Sequence, residues 1–170
     1  MNKVACFTGH RFVGSNPLSA EVLWIKTSLE DKVFDAYNYG YTTFISGGAL
    51  GVDTWGAEAV LSYKDILPDI RLVIARPFVG QETRWRKEDR DKYTKILDMA
   101  DEVVTINGGS YEAWKMLSRN KWMVNNSELV IAVFNGVNKG GTYHCISYAR
   151  KLKKPIYIIN PSGRSISQEG

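Results

Sequence analysis

A chain of 170 residues, 44% apolar and 24% charged, can close one sizeable core, and a single domain over 1–170 is expected. Low-complexity tracts, fixed-period repeats and apolar runs of bilayer length are all missing, which excludes disordered, solenoid and membrane-spanning classes and predicts a cytoplasmic protein with no membrane partner. The net charge of +4 favours anionic partners but is not gathered into the basic stripe of a dedicated DNA binder; two cysteines without CxxC spacing and two distant histidines give no ligand set, so neither metal nor cofactor is expected.

In chain order, apolar runs bounded by turn residues fall at 4–9, 42–48, 71–78, 101–106, 128–134 and 155–160. Several are apolar almost throughout, as strands covered on both faces are. Helix-like segments separate them, so the fold class predicted is α/β: a Rossmann-like, doubly wound, mostly parallel sheet of about six strands flanked by helices. The first helix starts at Pro17 and Ser19, repeats Val22, Ile25, Leu29, Val33 and Ala36 at helical spacing, and stops where Gly40 can adopt a left-handed cap. The last helix runs from about Thr142 to Leu152 and is closed by Lys153, Lys154 and Pro155.

In such a sheet, ligands bind beyond the carboxyl ends of the strands. The segments that follow the strands are TGHR (8–11), SGGALGVD (46–53), RPFVGQETRW (76–85) and NGVNKGGT (135–142), which gathers glycine and polar residues at one edge. The opposite edge receives plain connections such as 38–41 and 152–154. One pocket is expected.

A glycine-rich strand-to-helix turn presents backbone N–H groups beside the positive end of a helix, and Ser46, Gly47 and Gly48 with Asp53 form such a turn. It is neither GxGxxG nor a P-loop. Asp53 either complements the helix dipole or accepts hydroxyl hydrogen bonds, as from a ribose. Glu58, five residues on, points about 140° away around the helix and reads as solvated. Gly140, Gly141 and Thr142 make a second turn of the same kind, with Thr142 as a cap or a phosphate contact. Gly9, His10 and Arg11 follow the first strand into the same cleft, where an arginine suits phosphate. Asp89 falls on the inward arc with Trp85 and Tyr93, so it is either satisfied by an arginine or part of a pocket wall with Gln81 and Trp85. Arg119 is the more plausible ligand contact in 111–128, where Tyr111, Trp114 and Leu117 read as core.

CFTGHR, SGGALGVDTWGAE, RPF with the Gln and Trp that follow it, RNKWMV and GGTYHCISYA together resemble the YpsA-like family of the SLOG superfamily, over about residues 4–159. Within that superfamily the SGGALGVD turn is similar to a segment of DprA, which binds single-stranded DNA. The GGT turn resembles that of LOG phosphoribohydrolases, which cleave nucleoside monophosphates. The resemblance implies a pocket for a nucleotide or nucleotide-derived ligand at Gly9, His10, Arg11, Ser46, Gly47, Gly48, Asp53, Gly140, Gly141 and Thr142. LOG catalysis uses a Glu in the helix after the glycine turn, whereas GGTYHCISYA has no acidic residue.

The leading expectation is therefore a module that senses or sequesters a nucleotide-derived small molecule. The alternative is a hydrolase acting on an N-glycosidic or phosphoester bond, with Asp53 or Asp89 as acid/base and His10 assisting. Single-stranded nucleic acid is a third and less favoured partner. Homo-oligomers are compatible with all three.

Overall fold

The computed structural model describes residues 2–12 and 16–170. Along these, strands and helices alternate as β1 (Lys3–Gly9), α1 (Ala20–Asn38), β2 (Tyr41–Ser46), α2 (Val52–Ser62), β3 (Arg71–Arg76), α3 (Lys87–Met99), β4 (Glu102–Thr105), α4 (Ala113–Asn125), β5 (Leu129–Val133), α5 (Gly140–Lys151), β6 (Ile156–Asn160) and β7 (Ser165–Glu169). The strands join in one sheet of order β4-β3-β2-β1-β5-β6-β7. Pairs from β4 through to β6 are parallel, and β7 returns antiparallel to β6.

Strand side chains alternate between two apolar layers. Ala5, Phe7, Phe44, Leu72, Ile74, Ile131 and Val133 meet α1 and α2, whose Ile25, Leu29, Val33, Val52 and Val60 are buried. Cys6, Ile45, Val73, Ala75, Val130 and Ala132 face the other way, onto Met123 and Val124 of α4 and Cys145, Ile146 and Ala149 of α5. Each fully buried large side chain contributes about 1.5–3 kcal/mol by leaving water. Because both sheet faces are covered, the central strands can be apolar at consecutive positions, which is why their runs stand out in the sequence.

The first helix begins as expected: Ser19 is the N-cap and its hydroxyl accepts from the Val22 N–H at 3.2 Å. Gly40 follows the C-cap with φ of 94°. The last helix starts two residues earlier than predicted, at Gly140. The expected count of about six strands becomes seven among the described residues. β7, SISQE, is mostly exposed and offers only Ile166 as an apolar side chain, so backbone pairing with β6 defines it rather than burial. β4 is an edge strand with an exposed pattern, not a strand covered on both faces. Among the described residues, no helix is long and apolar enough to cross a membrane.

Candidate functional site

β1 leads by α1 towards β2, whereas its other neighbour β5 leads by α5 away to β6, so the strand order reverses between β1 and β5. The sheet edge splits there, and a cleft opens beyond the carboxyl ends of the two strands.

The turn between β2 and α2 is tightly held by its own hydrogen bonds. Ser46 is fully buried; its hydroxyl donates to the Asp53 carbonyl at 2.7 Å and accepts from the Gly48 N–H at 3.1 Å. The Ala49 N–H donates to Asp53 Oδ2 at 3.3 Å, and the Val52 N–H donates to the His10 carbonyl at 3.1 Å. Gly51 has φ of 80°, and a Cβ there would stand 2.1 Å from the Arg11 carbonyl oxygen, so only glycine lets the chain leaving β1 pass. Gly9 is similarly crowded, by the Val52 side chain, and Gly48 (φ 71°) lies against Tyr93. The N–H groups of Gly48, Ala49 and Val52 are thus already engaged, two of them within the turn and the third with the chain leaving β1.

Arg119 holds the turn from the other side. It comes from α4, is buried, and donates through Nη1 to the Gly47 carbonyl at 2.7 Å and to the Ala75 carbonyl at 3.3 Å. Its Nε donates to Asn120 Oδ1 at 3.0 Å. Gln81 Nε2 donates to the same Gly47 carbonyl and to the Tyr93 hydroxyl, each at 3.0 Å. Gly47 has no room for a side chain, because a Cβ would sit 2.5 Å from Arg119 and 2.7 Å from Asp53 Oδ2. One turn earlier on α4, buried Lys115 donates to the carbonyls of Gly108 and Ser110 at 2.7 and 2.6 Å and fixes the loop that leads into the helix.

Burial pushes the Asp53 carboxyl above the ordinary carboxylate range, and the positive charge of Arg119 with the Ala49 N–H pulls it part of the way back. Burial lowers Arg119 while Asp53 opposes the shift; a guanidinium stays protonated regardless. Burial raises the nearby Cys145 thiol to about 11 and Cys6 further still, so neither is a nucleophile near neutral pH.

Above this framework lies an inner pocket of about 270 Å³. Gly9, His10 and Arg11 from the end of β1, Asp53 from α2, Arg119 and Asn120 from α4, and Gly141 and Thr142 from α5 all line it. His10 Nε2 is buried and has no hydrogen-bond partner among the described residues. α5 enters the pocket with no side-chain cap, and a Cβ on Gly141 would have only Asn120 Nδ2 nearby, at 3.9 Å. The α5 turn, unlike the first, therefore keeps its donors and the positive end of its helix open.

A second, outer groove of about 530 Å³ shares Arg11 with the pocket and is walled by Phe12, Trp55, Arg84 and Trp85. Trp85 and Asp89 belong here rather than to the inner pocket, and Asp89 pairs with Arg86 at 3.2 Å. Gln81 lines neither cavity. Glu58 lies half-exposed, 3.8 Å from Lys92. Tyr111, Trp114 and Leu117, expected in the core, are exposed. Sequence reasoning did not single out Trp55 or Phe12; the one signal was a tryptophan in a helix start otherwise made of small residues. Among the described residues, no three His, Cys, Asp or Glu side chains are placed to hold a metal ion.

Fold and cleft together define a Rossmann-like α/β protein with a polar pocket at its topological switch point. The YspA SLOG family model matches residues 6–162, and the chain belongs to that family. It is 34% identical over 131 residues to the uncharacterized SPbeta prophage-derived protein YoqJ of Bacillus subtilis, covering 69% of this chain and 76% of that one. It is 30% identical over 145 residues to a UPF0398 protein of Halalkalibacterium halodurans, covering 82% and 77%. Among solved structures, DNA processing protein A from Helicobacter pylori, described by its single-stranded DNA binding mode, superposes with a TM-score of 0.64 at 18% identity, over 95% of this chain and 70% of that one. The Streptococcus pneumoniae protein of the same name gives 0.63 at 19%, over 92% of this chain and 50% of its own length. These likenesses show a shared fold.

Proposed function

We propose that the chain binds a nucleotide-derived small molecule in the inner pocket, as a sensor or sequestering protein. The observation that carries this reading is the uncapped start of α5, which opens on the same small pocket as His10 Nε2 and Arg11. A phosphate sits on the first N–H groups of α5, paired with Arg11, and His10 Nε2 supplies a further polar contact. Asp53 accepts from a ribose hydroxyl through the oxygen that Ala49 does not use. Binding is favoured over hydrolysis because Asp53 is the sole carboxylate among the described residues lining the pocket, which leaves His10 as the one other side chain there suited to acid/base work and gives no carboxylate pair.

Gly141→Asp tests the reading. The new carboxylate lies in the first turn of α5, where it suits the dipole by about 0.3–1 kcal/mol and meets no backbone, so folding is retained. It also occupies the anion position. Titration calorimetry with AMP and with ribose 5-phosphate should show binding to the wild type and at least a tenfold loss, about 1.4 kcal/mol, in the variant. Equal affinity in the two proteins would refute the proposal.

Single-stranded nucleic acid is a second reading, supported by the cationic and aromatic lining of the outer groove and by the DNA-binding character of the Helicobacter pylori neighbour. It predicts affinity that falls steeply with salt.

A further inference from the structure

The inner pocket, at about 270 Å³, is smaller than most sites that enclose a whole organic ligand, which run from about 300 to 1,000 Å³. It suits a ribose phosphate better than a complete nucleotide. The outer groove, at about 530 Å³, continues from it across Arg11, which lines both. Their linings differ in kind: the inner pocket sets glycine, hydroxyl, amide and charged groups beside Ala49, Met116 and Leu117 and holds no tryptophan, whereas the groove has two, Trp55 and Trp85, in its walls.

The tryptophans are fixed by different neighbours. Trp55 packs against Phe12 with ring centroids 5.3 Å apart, and Lys26 Nζ lies 5.6 Å from its ring. Trp85 stands edge-on to Tyr93 at 5.3 Å, and its carbonyl accepts from Arg90 at 2.9 Å. Rigid aromatic walls of this kind are platforms on which a base can stack. Groove charge is also partly spent. Arg86 is paired with Asp89 and Lys92 lies near Glu58, whereas Arg11, Arg84 and Lys26 have no acidic partner within 4 Å among the described residues, and Glu88 is a carboxylate with no cation that close. Three unpaired cations against one carboxylate leave a surplus of two charges, which matches one pyrophosphate and falls short of what a long polyanion would call for.

We infer that the ligand is a dinucleotide: one ribose phosphate occupies the inner pocket, the linking pyrophosphate lies along Arg11 and Arg84, and the distal base stacks in the groove on Trp85 and Trp55. The inference rests on the inner-pocket reading above and deepens it by naming the ligand class.

The test compares ribose 5-phosphate, AMP and diadenosine pyrophosphate by calorimetry on the full chain, alongside an oligodeoxyadenylate series. The dinucleotide should bind at least tenfold tighter than AMP. Trp85→Ala should remove roughly that factor, the loss expected for one base stack, while ribose 5-phosphate binding stays unchanged. Trp85→Phe should restore most of it. Arg84→Glu, at an exposed position, should also remove most of the advantage, and this guards against a Trp85 variant that misfolds. A dinucleotide no tighter than AMP, with AMP binding still abolished by Gly141→Asp, would overturn the dinucleotide inference and leave the inner-pocket reading standing. Oligonucleotide affinity that keeps rising beyond two residues would overturn it in favour of a strand. No binding of any probe would overturn both readings.

Discussion

Asp53 and Arg119 are both buried at the base of the cleft, on either side of Gly47, yet Arg119 spends its Nη1 donor on carbonyls of β3 and of the glycine turn. Removing the guanidinium would take one donor from the Ala75 carbonyl and the neighbouring positive charge from the buried Asp53 carboxylate, while Gln81 still donates to the Gly47 carbonyl. Arg119→Met is therefore expected to cost about 1–3 kcal/mol in urea unfolding, the range for leaving a buried polar group without its partner. Asp53→Asn combined with Arg119→Met should cost less than the sum of the singles, and strict additivity would show that the charges do not interact. The sequence placed both residues at the site but could not show this role for Arg119. Its partner Gly47 is 72 residues away, and a hydrogen bond over that separation leaves no periodic trace. Ser46 was legible as part of the turn for a local reason, since its side-chain contacts lie within 7 residues.

At the level of elements, the two glycine turns look alike as sequence and differ in structure. The first has its glycines forced by neighbouring backbone and by Arg119; the second has Gly140 at φ of 91° with nothing within 4 Å of the point where a Cβ would stand. Gly51→Ala should therefore destabilise by more than about 2 kcal/mol, combining positive-φ strain with a backbone clash, whereas Gly140→Ala should lose only the strain, about 1 kcal/mol. Thermal unfolding of the pair distinguishes them, and equal losses would contradict the open start of α5. β7 was illegible because its sequence is polar, and what holds it is pairing with β6 and a two-pronged contact in which Arg150 donates to Glu169 at 2.8 and 2.7 Å. That contact holds the Glu169 carboxyl below its ordinary range. A carboxylate with a depressed folded value stabilises above its unfolded value, and the contribution disappears as pH falls through the folded one. Glu169→Gln should thus lower stability near neutral pH by at most about 1 kcal/mol, since both partners are partly exposed, and the difference from wild type should vanish under acid conditions. A difference that persists there would point to packing instead.

On the scale of the whole molecule, the cleft draws residues from β1, α2, α4 and α5, that is, from both sides of the reversal in strand order. The alternation of apolar runs with helical segments was enough to foresee the sheet and the edge where polar turns gather, because each of the first six strands is written as a local run. The existence of two adjoining cavities was not foreseeable, since Trp55, Trp85 and Arg11 meet only when α2 and the segment before α3 pack beside the end of β1. A ligand seated across this junction contacts both helix layers, so it should stabilise the domain as one unit rather than order a single loop. At a free concentration about one hundred times its dissociation constant, a ligand that binds only the folded chain adds about 2.7 kcal/mol. For a domain of this size that corresponds to a rise in Tm of roughly 5–10 °C. In urea the midpoint should move up while the slope stays fixed, because the surface exposed on unfolding is unchanged. A midpoint shift accompanied by a lower slope, or by a second transition, would mean that the two sides of the switch point unfold separately and that the ligand holds only one of them.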